Sequence, residues 1–468
     1  MAQQQLDPQQ IEAIVRRVID KLHAPQQDGE QYGVFRSLDD AVAAASAAQR
    51  QVRNLAQRGA IIAAIRKLGH EHVRELSEMG VAETGFGRVS DKIIKNQLVI
   101  DKTPGIEAIY PMAISGDHGL SLVENAPWGV IASVTPSTNP SATILNNSIS
   151  MISAGNAVVF APHPAAKAVS LRAIQLVNQA SASVGGPSNI VTCVETPSID
   201  VANQLFVYPG IRLLTITGGD AVVAAARKVT DKRLIAAGPG NPPVVVDETA
   251  DIKRAAISIV QGASFDNNIV CVDEKEIIAV DTIADELIDA LCDNGAVLLT
   301  EEQGEAVAQL VLADYPGPNP RSKVEWIGRD AAKIAAAAGF KVPDSTRLLV
   351  LETDRKHAFA RTEMMLPVIP LIRADNVDQA IDWAIELEKG NLHSAAMHSR
   401  NIDNLSRMAA EINTSLFVKN GPCLAGLGAG GEGWTSMTIS TPTGEGVTNA
   451  STFVRKRRCT LVDAFRIV

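Results

Sequence analysis

The sequence predicts an α/β protein built from two parallel-sheet units in series. Two observations carry this. From residue 131 to 237, short apolar runs alternate with helical patterns at the spacing of βαβ crossovers, and a second such series begins at Pro243. A chain of 468 residues is long enough for about three domains, so both units and a set of leading helices fit.

In chain order, Ser37-Leu38-Asp39-Asp40 opens an Ala-rich helical stretch that continues to about residue 79. Strands are then expected at 131–136, 157–162, 189–194, 211–217 and 234–237, with helices at 141–153, 165–184, 199–206 and 220–229. The second series has strand candidates at 244–247, 276–280, 348–351, 367–371, 395–398 and 416–418, and helices that include 251–261, 375–388 and 402–412. Such sheets bind ligands at the carboxyl ends of their strands, near a switch point. The tail 447–461 alternates with period two, and a lone terminal strand needs a partner. Paired with 121–124 it makes a protruding ribbon for subunit contact; otherwise it is an ordinary edge strand.

The first 22 residues stand apart. Asp7, Pro8 and Gln10 mark a helix start, and Ile11, Ile14, Val15, Val18, Ile19 and Leu22 form one apolar stripe. A helix of about four turns is marginal alone in water. Residues 24–33 are a polar linker, so the stripe docks either on a partner or back on its own domain.

Composition narrows the class. Apolar residues make up 46% and charged residues 20%, which is ordinary for a globular chain. With 43 Lys plus Arg against 52 Asp plus Glu, the formal charge of −9 argues against nucleic-acid binding. No apolar run approaches the ~18–20 residues of a membrane span, and no signal core follows the N-terminus. Cys193, Cys271, Cys292, Cys423 and Cys459 are widely spaced without C-x-x-C, so neither a zinc site nor a disulfide framework is suggested. The expectation is a metal-free cytoplasmic enzyme with at most one special thiol.

Several residues have a chemistry-bearing setting, each with an ordinary alternative. Thr217-Gly218-Gly219-Asp220 is a strand end, a glycine turn and a helix start, where a phosphate can approach the backbone; two glycines at such a turn are also common. Cys271 lies on a loop after a helix, the usual place for a nucleophile, although most cysteines are small buried hydrophobes. Asn139, before Pro140, could offer an amide to an oxyanion or simply make a turn. His393 precedes a strand and could be a general base or a hydrogen-bonded loop histidine. The glycine-rich stretch 426–433 has no helix after it and reads as turns.

Together these signals acquire weight. From about residue 37 to the end, the chain resembles the aldehyde dehydrogenase superfamily, and most of all the CoA-acylating propionaldehyde and acetaldehyde enzymes of bacterial microcompartments. The resemblance rests on TPSTNP at 135–140, ISAGNAVVFAPHP at 152–164, TITGGD at 215–220, AAGPGNPPVVV at 236–246, NNIVC at 267–271, TEMMLPV at 362–368 and GNLHSAAMHS at 390–399. It implies two Rossmann-like α/β domains, a β-ribbon oligomerisation element and an N-terminal amphipathic helix. The implied limits are a targeting helix at 1–22, a linker at 23–36, a dinucleotide-binding domain at 37–236 with the ribbon near 119–125, a catalytic domain at 237–440 and an oligomerisation tail at 441–468.

The resemblance also implies roles. Cys271 would attack the aldehyde, with Asn139 and the Cys271 backbone N–H holding the oxyanion. Pro136, Thr138, Thr217, Gly218, Gly219, His163 and Glu363 would line the cofactor pocket. Hydrolytic members place the asparagine where Thr138 stands; Asn139, one residue further, is assigned the amide here. They also carry a glutamate at the position of Ala236, which activates water. Its absence implies transfer to a thiol such as CoA, with His393 taking the thiol proton or ordering the site. The Lys-Pro-Ser-Glu of hydrolytic members is replaced by Ala161-Pro162-His163-Pro164, so NAD is expected and NADP is not excluded. Met364, Met365 and Leu366 line an apolar pocket or fill the core.

The expected function is CoA-dependent oxidation of a short-chain aldehyde, propionaldehyde first, inside a microcompartment in the cytoplasm. Acetaldehyde is the alternative substrate. A non-acylating enzyme, an acyl-phosphate reductase and a weakly active cargo protein are the other readings. A shell protein bound through the N-terminal helix, and a homodimer or homotetramer, are the expected partners, with no nucleic acid and no membrane.

Overall fold

The computed structural model describes residues 32–468. The expected targeting helix at 1–22 and most of the expected linker lie outside the described residues. Two parallel sheets form the body, as the alternating pattern predicts.

The first sheet has six strands, in spatial order Val34–Phe35, Val191–Val194, Ala157–Pro162, Val130–Thr135, Leu213–Thr217 and Arg233–Ala237. Every residue of Ala157–Pro162 is buried, which is why this strand reads as an unbroken apolar run. Five of the six strands were expected. The sixth, Val34–Phe35, corrects the linker at 23–36: it pairs with Cys193 and Val194 and is buried. Two residues cannot show a period, and what anchors them is tertiary. The amide of Asn178 donates to the Tyr32 carbonyl (2.9 Å), and Gly33 sits at φ +88 with no room for a side chain.

Helices cover the sheet. Leu55–Thr84 runs for 30 residues, starts where the Asn54 side chain accepts from Ala56 N, and ends on Gly85 at φ +70. Pro140–Ser153 is buried along its whole length.

The second sheet has seven strands, in the order Ala296–Leu299, Leu348–Glu352, Val368–Ala374, Glu276–Val280, Pro243–Val246, Ser394–His398 and Leu416–Lys419. The sequence reading finds six of these. It misses Ala296–Leu299, an edge strand of four residues with an exposed Leu298, too short and too mixed to stand out. The apolar core is continuous from the first sheet into the second, through Val244, Ile277 and Leu371.

Met112–Gly116, Gly119–Pro127 and Val454–Val462 form a separate antiparallel sheet, with Gly119–Pro127 in the middle. The terminal strand therefore begins at Val454, not at 447. The alternation over 447–453 has another cause. Asn449 caps a short 3-10 turn, Ala450–Phe453, and the Thr452 side chain bonds back to it, a capping box. Among the described residues, no helix is long and apolar enough to cross a membrane.

Asn156 ties the C-terminal segment to the first sheet. Its Oδ1 accepts from Trp128 N (2.7 Å) and Gly129 N (3.1 Å), and its Nδ2 donates to Met151 O (3.2 Å) and Phe453 O (2.9 Å). Asn156→Ala takes this partner from two part-buried N–H groups and from the buried Phe453 carbonyl, at about 1–3 kcal/mol for a buried group left unsatisfied. Its apparent melting temperature should fall by at least several degrees in differential scanning fluorimetry; an unchanged value contradicts this role.

Candidate active site

The thiol is carried by a loop with an unusual backbone. After the helix Ile252–Ala263 comes the short turn Phe265–Asn268, then Cys271, then the strand Glu276–Val280. Asp266, Asn267 and Asn268 are all left-handed, at φ +45, +56 and +66. Asp and Asn tolerate this conformation better than other side chains, but three in a row need support.

That support is a set of buried polar bonds. Asp266 accepts from Arg88 N (2.9 Å), from Lys92 Nζ (3.0 Å) and from Lys95 Nζ. Asn267 Nδ2 donates to Gly328 O (2.8 Å) and Asp330 Oδ1 (3.0 Å). Asn268 Nδ2 donates to Ala263 O (2.7 Å) and Glu274 O (2.9 Å). Lys275 Nζ closes the loop from the other side, donating to Asn268 Oδ1 (2.6 Å), Asn268 O (3.0 Å) and Val270 O (3.3 Å). Gly87 is required by the same packing, since a Cβ there would lie 1.8 Å from Asp266 Oδ1.

Sequence reasoning missed these lysines. The sequence reading made nothing of the stretch holding Asp91, Lys92 and Lys95, which lies on the helix Val89–Lys102, and all three are buried. The one available signal was that Asn96, Val99 and Ile100 continue the same buried face.

Four segments meet at the amino edge of the second sheet. Gly240 comes just before Pro243–Val246, Cys271 before Glu276–Val280, Glu363 before Val368–Ala374 and His393 immediately before Ser394–His398. These four strands are neighbours in the sheet, so their entry segments converge. Gly240 N lies 3.4 Å from Glu363 Oε1 and donates to it. A Cβ on Gly240 would lie 2.8 Å from the Cys271 carbonyl oxygen and 3.0 Å from the His393 ring. Cys271, Glu363 and His393, which the sequence reading proposed separately, thus surround one glycine.

Burial and the nearby Glu363 carboxylate push the Cys271 thiol up to about 12, with Lys275 pulling the other way. His393 is fully buried, which holds its imidazole at about 4, neutral at physiological pH. Its backbone N–H donates to Glu388 Oε1 (2.9 Å), its Nδ1 lies 2.9 Å from Ser394 Oγ, and its Nε2 has no hydrogen-bond partner among the described residues.

The carboxyl edge of the first sheet holds the remaining candidates. The chain winds from Val130–Thr135 outward through Ala157–Pro162, then returns to Leu213–Thr217 on the other side. The turns after Thr135 and after Thr217 therefore flank the switch point, the expected crevice of such a sheet. A Cβ on Gly218 or Gly219 would meet nothing within 4 Å, so the turn borders open space. The helix Asp220–Val229 starts there without a side-chain cap, leaving its N–H groups for an anion. Thr217 Oγ1 lies 2.8 Å from Thr438 Oγ1. These features fit the pyrophosphate of a dinucleotide.

Pro136 and Thr138 are half-buried in the first turn. His163, at the end of Ala157–Pro162, is exposed, and its Nδ1 accepts from Ala165 N (3.1 Å) as a cap. Asn139 is at the N-cap position of Pro140–Ser153 but does not cap it; its Oδ1 accepts from Lys95 Nζ. Ala236 is completely buried within its strand, with its N–H donating to Thr443 Oγ1 (3.0 Å). Met364 and Leu366 pack with Val307, Val311 and Phe359 as core filler.

Two parallel α/β sheets, with a loop-borne thiol at the amino edge of one and a dinucleotide-type crevice at the carboxyl edge of the other, define a thiol-bearing oxidoreductase. Residues 31–309 match the model of the aldehyde dehydrogenase family. The acetylating acetaldehyde dehydrogenase EutE of Salmonella typhimurium is 60% identical over 468 residues, covering 99% of this chain and all of that protein. The solved propionaldehyde dehydrogenase from the fucose utilisation bacterial microcompartment of Clostridium phytofermentans is 45% identical, with a TM-score of 0.91 over 93% of this chain and 100% of that one. A propionaldehyde dehydrogenase of Rhodopseudomonas palustris, solved with bound CoA and an acylated cysteine, is 47% identical with a TM-score of 0.90, over 93% of this chain and 100% of that one. The chain belongs to the aldehyde dehydrogenase family, among its CoA-acylating members.

Two outcomes follow from this geometry. In the cofactor-free protein, iodoacetamide labelling of Cys271, read by peptide mass spectrometry, should climb about tenfold per pH unit from pH 7 to 9, because only the thiolate reacts and its fraction rises with pH below the pKa. A plateau below pH 8 contradicts the raised thiol. Gly240→Ala should leave the protein folded by circular dichroism yet slow aldehyde-dependent reduction of the nicotinamide cofactor by more than about tenfold, since displacement of reacting groups by about an ångström is costly.

Proposed function

We propose that the protein catalyses aldehyde + CoA + NAD⁺ → acyl-CoA + NADH + H⁺ through a thioester on Cys271. The observation that carries this is the meeting of Cys271, Glu363 and His393 around Gly240 while Ala236 offers no carboxylate to activate water.

The Cys271 thiol gives up its proton to solvent as the sulfur attacks the aldehyde carbon, and the carbonyl oxygen becomes an oxyanion. This proton is the H⁺ of the overall equation, and the CoA thiol proton later returns to Cys271. The Asn139 amide and the Cys271 backbone N–H receive that charge; one such donor is worth about 2.7–4 kcal/mol of barrier. When bound, the nicotinamide ring supplies the hydride acceptor. Thr217, Gly218 and Gly219 hold the pyrophosphate at the helix N-terminus, Glu363 orients the nicotinamide ribose, and Pro136, Thr138 and His163 line the adjoining pocket. The resulting thioester persists because no base at position 236 activates water.

A CoA thiolate then attacks the acyl carbon and displaces the Cys271 sulfur. His393 suits the proton transfer: it is neutral, and its Nε2 lone pair or N–H is uncommitted. Burial makes the imidazolium costly, so a proton taken there is passed on.

Acetaldehyde is the preferred substrate in this reading, with propionaldehyde second, because the acetylating relative is more similar to this chain than the propionaldehyde enzymes are. NAD is the proposed cofactor. The division into a dinucleotide-binding part at 37–236 and a catalytic part at 237–440 follows the two sheets. The segment 441–468 then serves subunit contact in a homodimer or homotetramer, supported by exposed Met112, Ile114, Leu461 and Val462 on the antiparallel sheet. A microcompartment lumen, reached through residues 1–22 and a shell protein, is supported by the microcompartment origin of a solved relative.

The test follows NADH from acetaldehyde and NAD⁺, with propanal and NADP⁺ run in parallel. Without CoA, a burst of about one NADH per active site should appear, and steady turnover should start only when CoA is added. Cys271→Ser should lose both phases. His393→Ala should keep the burst and slow CoA-dependent turnover by roughly 10²–10⁴-fold. Steady turnover without CoA would mean that water reaches the thioester and that the enzyme is hydrolytic.

A further inference from the structure

Asp266 is paired with two lysines where one would neutralise it. Lys92 and Lys95, three residues apart on the helix Val89–Lys102, both reach Asp266 Oδ2, and their side chains are 5% and 4% exposed. The crowding has a cost: burial and the charge of Lys95 pull the Lys92 ammonium down to about 8. Anchoring the loop explains one lysine. It does not explain the second.

Both lysines also reach the turn at 135–140: Lys92 Nζ makes a long contact with the Thr138 carbonyl (3.5 Å), whereas Lys95 meets the Asn139 side chain. Lys95 Nζ lies 2.5 Å from Asn139 Oδ1. An ammonium has donors only, so the amide oxygen must face it and the NH₂ group must face away; no choice of amide flip remains. Asn139 occupies the N-cap position of Pro140–Ser153, where an asparagine ordinarily turns its oxygen onto the backbone N–H groups of the first turn. That bond is not made here. The side chain is turned to Lys95 instead, and among the described residues the hydrogen-bond acceptor of its Nδ2 is Thr138 Oγ1, at a long 3.3 Å.

We infer that Lys95 is the positioning residue of the oxyanion site: anchored on Asp266 in the loop that carries Cys271, it holds Asn139 Oδ1 so that the amide N–H faces the oxygen of the thiohemiacetal. The Lys95 side chain thereby joins the two halves of the site through the amide itself, where Lys92 touches only the backbone of the turn. It fixes the donor, which sits at a strand end of the first sheet, relative to the nucleophile, which enters the second. Its charge also polarises the amide it holds, which strengthens the opposite N–H as a donor. This rests on the reading of Asn139 as an oxyanion donor, and the test separates the two.

The experiment is a double-mutant cycle on the rate of the CoA-independent NADH burst, measured by stopped flow at saturating acetaldehyde and NAD⁺. Asn139→Ala alone should slow the burst by roughly 10²–10³-fold. Lys95→Met alone should slow it by at least about tenfold, with the KM values for NAD⁺ and CoA unchanged. In the Asn139→Ala background, Lys95→Met should change the rate by less than about threefold, because the lysine has no amide left to hold. If Asn139→Ala leaves the burst intact, the oxyanion reading itself fails. If Asn139→Ala slows the burst but Lys95→Met does not, or if the two losses multiply, the positioning role is overturned. Should Lys95→Met fail to fold, Lys95→Arg takes its place in the cycle: it keeps a positive charge for Asp266 but replaces the compact ammonium on Asn139 Oδ1 with a planar fork, so it should slow the burst when Asn139 is present and change it by less than about threefold in the Asn139→Ala background.

Discussion

Everything at this site depends on holding three left-handed residues still. Asp266, Asn267 and Asn268 take a backbone conformation that costs energy for residues with a Cβ, and no regular ladder of hydrogen bonds maintains it. The molecule offsets that cost with charged and amide side chains out of water: Lys92 and Lys95 from one side, Lys275 from the other, and Gly328 and Asp330 from a third segment. Buried charges are costly unless nearly every polar atom finds a partner. The result is a loop that can present Cys271 in only one place.

Burial has a second consequence, for reactivity. The same desolvation that rigidifies the loop disfavours the thiolate, and Glu363 beside it disfavours it further. His393 follows the same logic from the opposite sign of charge. Burial keeps it neutral, so it can accept a proton but holds it weakly.

The two sheets contribute opposite edges. The candidate ligand-binding turns at the carboxyl ends of the first sheet follow the general rule for open α/β folds. In the second sheet the candidate residues sit in the segments entering the strands, at the amino ends. The rule, applied to both halves, would have looked on the wrong side of the second. The reason is local: Gly240, Cys271, Glu363 and His393 precede four strands that are neighbours in the sheet but come from two separate stretches of the chain, and Gly240, lacking a side chain, lets the other three close around it.

By itself the sequence determined the α/β class and nearly all the strands of both sheets, and it nominated the residue types of the candidate site. These are legible because burial on both faces writes continuous apolar runs, and because caps and glycine turns have local signatures. It did not determine the strand Val34–Phe35, the edge strand Ala296–Leu299 or the true start of the terminal strand at Val454. Each depends on a neighbour far away in the chain, or imitates another local pattern, as the capped turn at Asn449 does. Nor did it reveal Lys92, Lys95 and Lys275, because a lysine on a helix or loop reads as solvated until its surroundings are known. Only the tertiary structure decided that these charges are buried, that Asp266 gathers two of them, and that Asn139 turns away from its own helix. Asp266 and its two lysines stand 174 and 171 residues apart, and Asn139 and Lys95 stand 44 apart; at such separations no period, spacing or propensity in the sequence joins the partners.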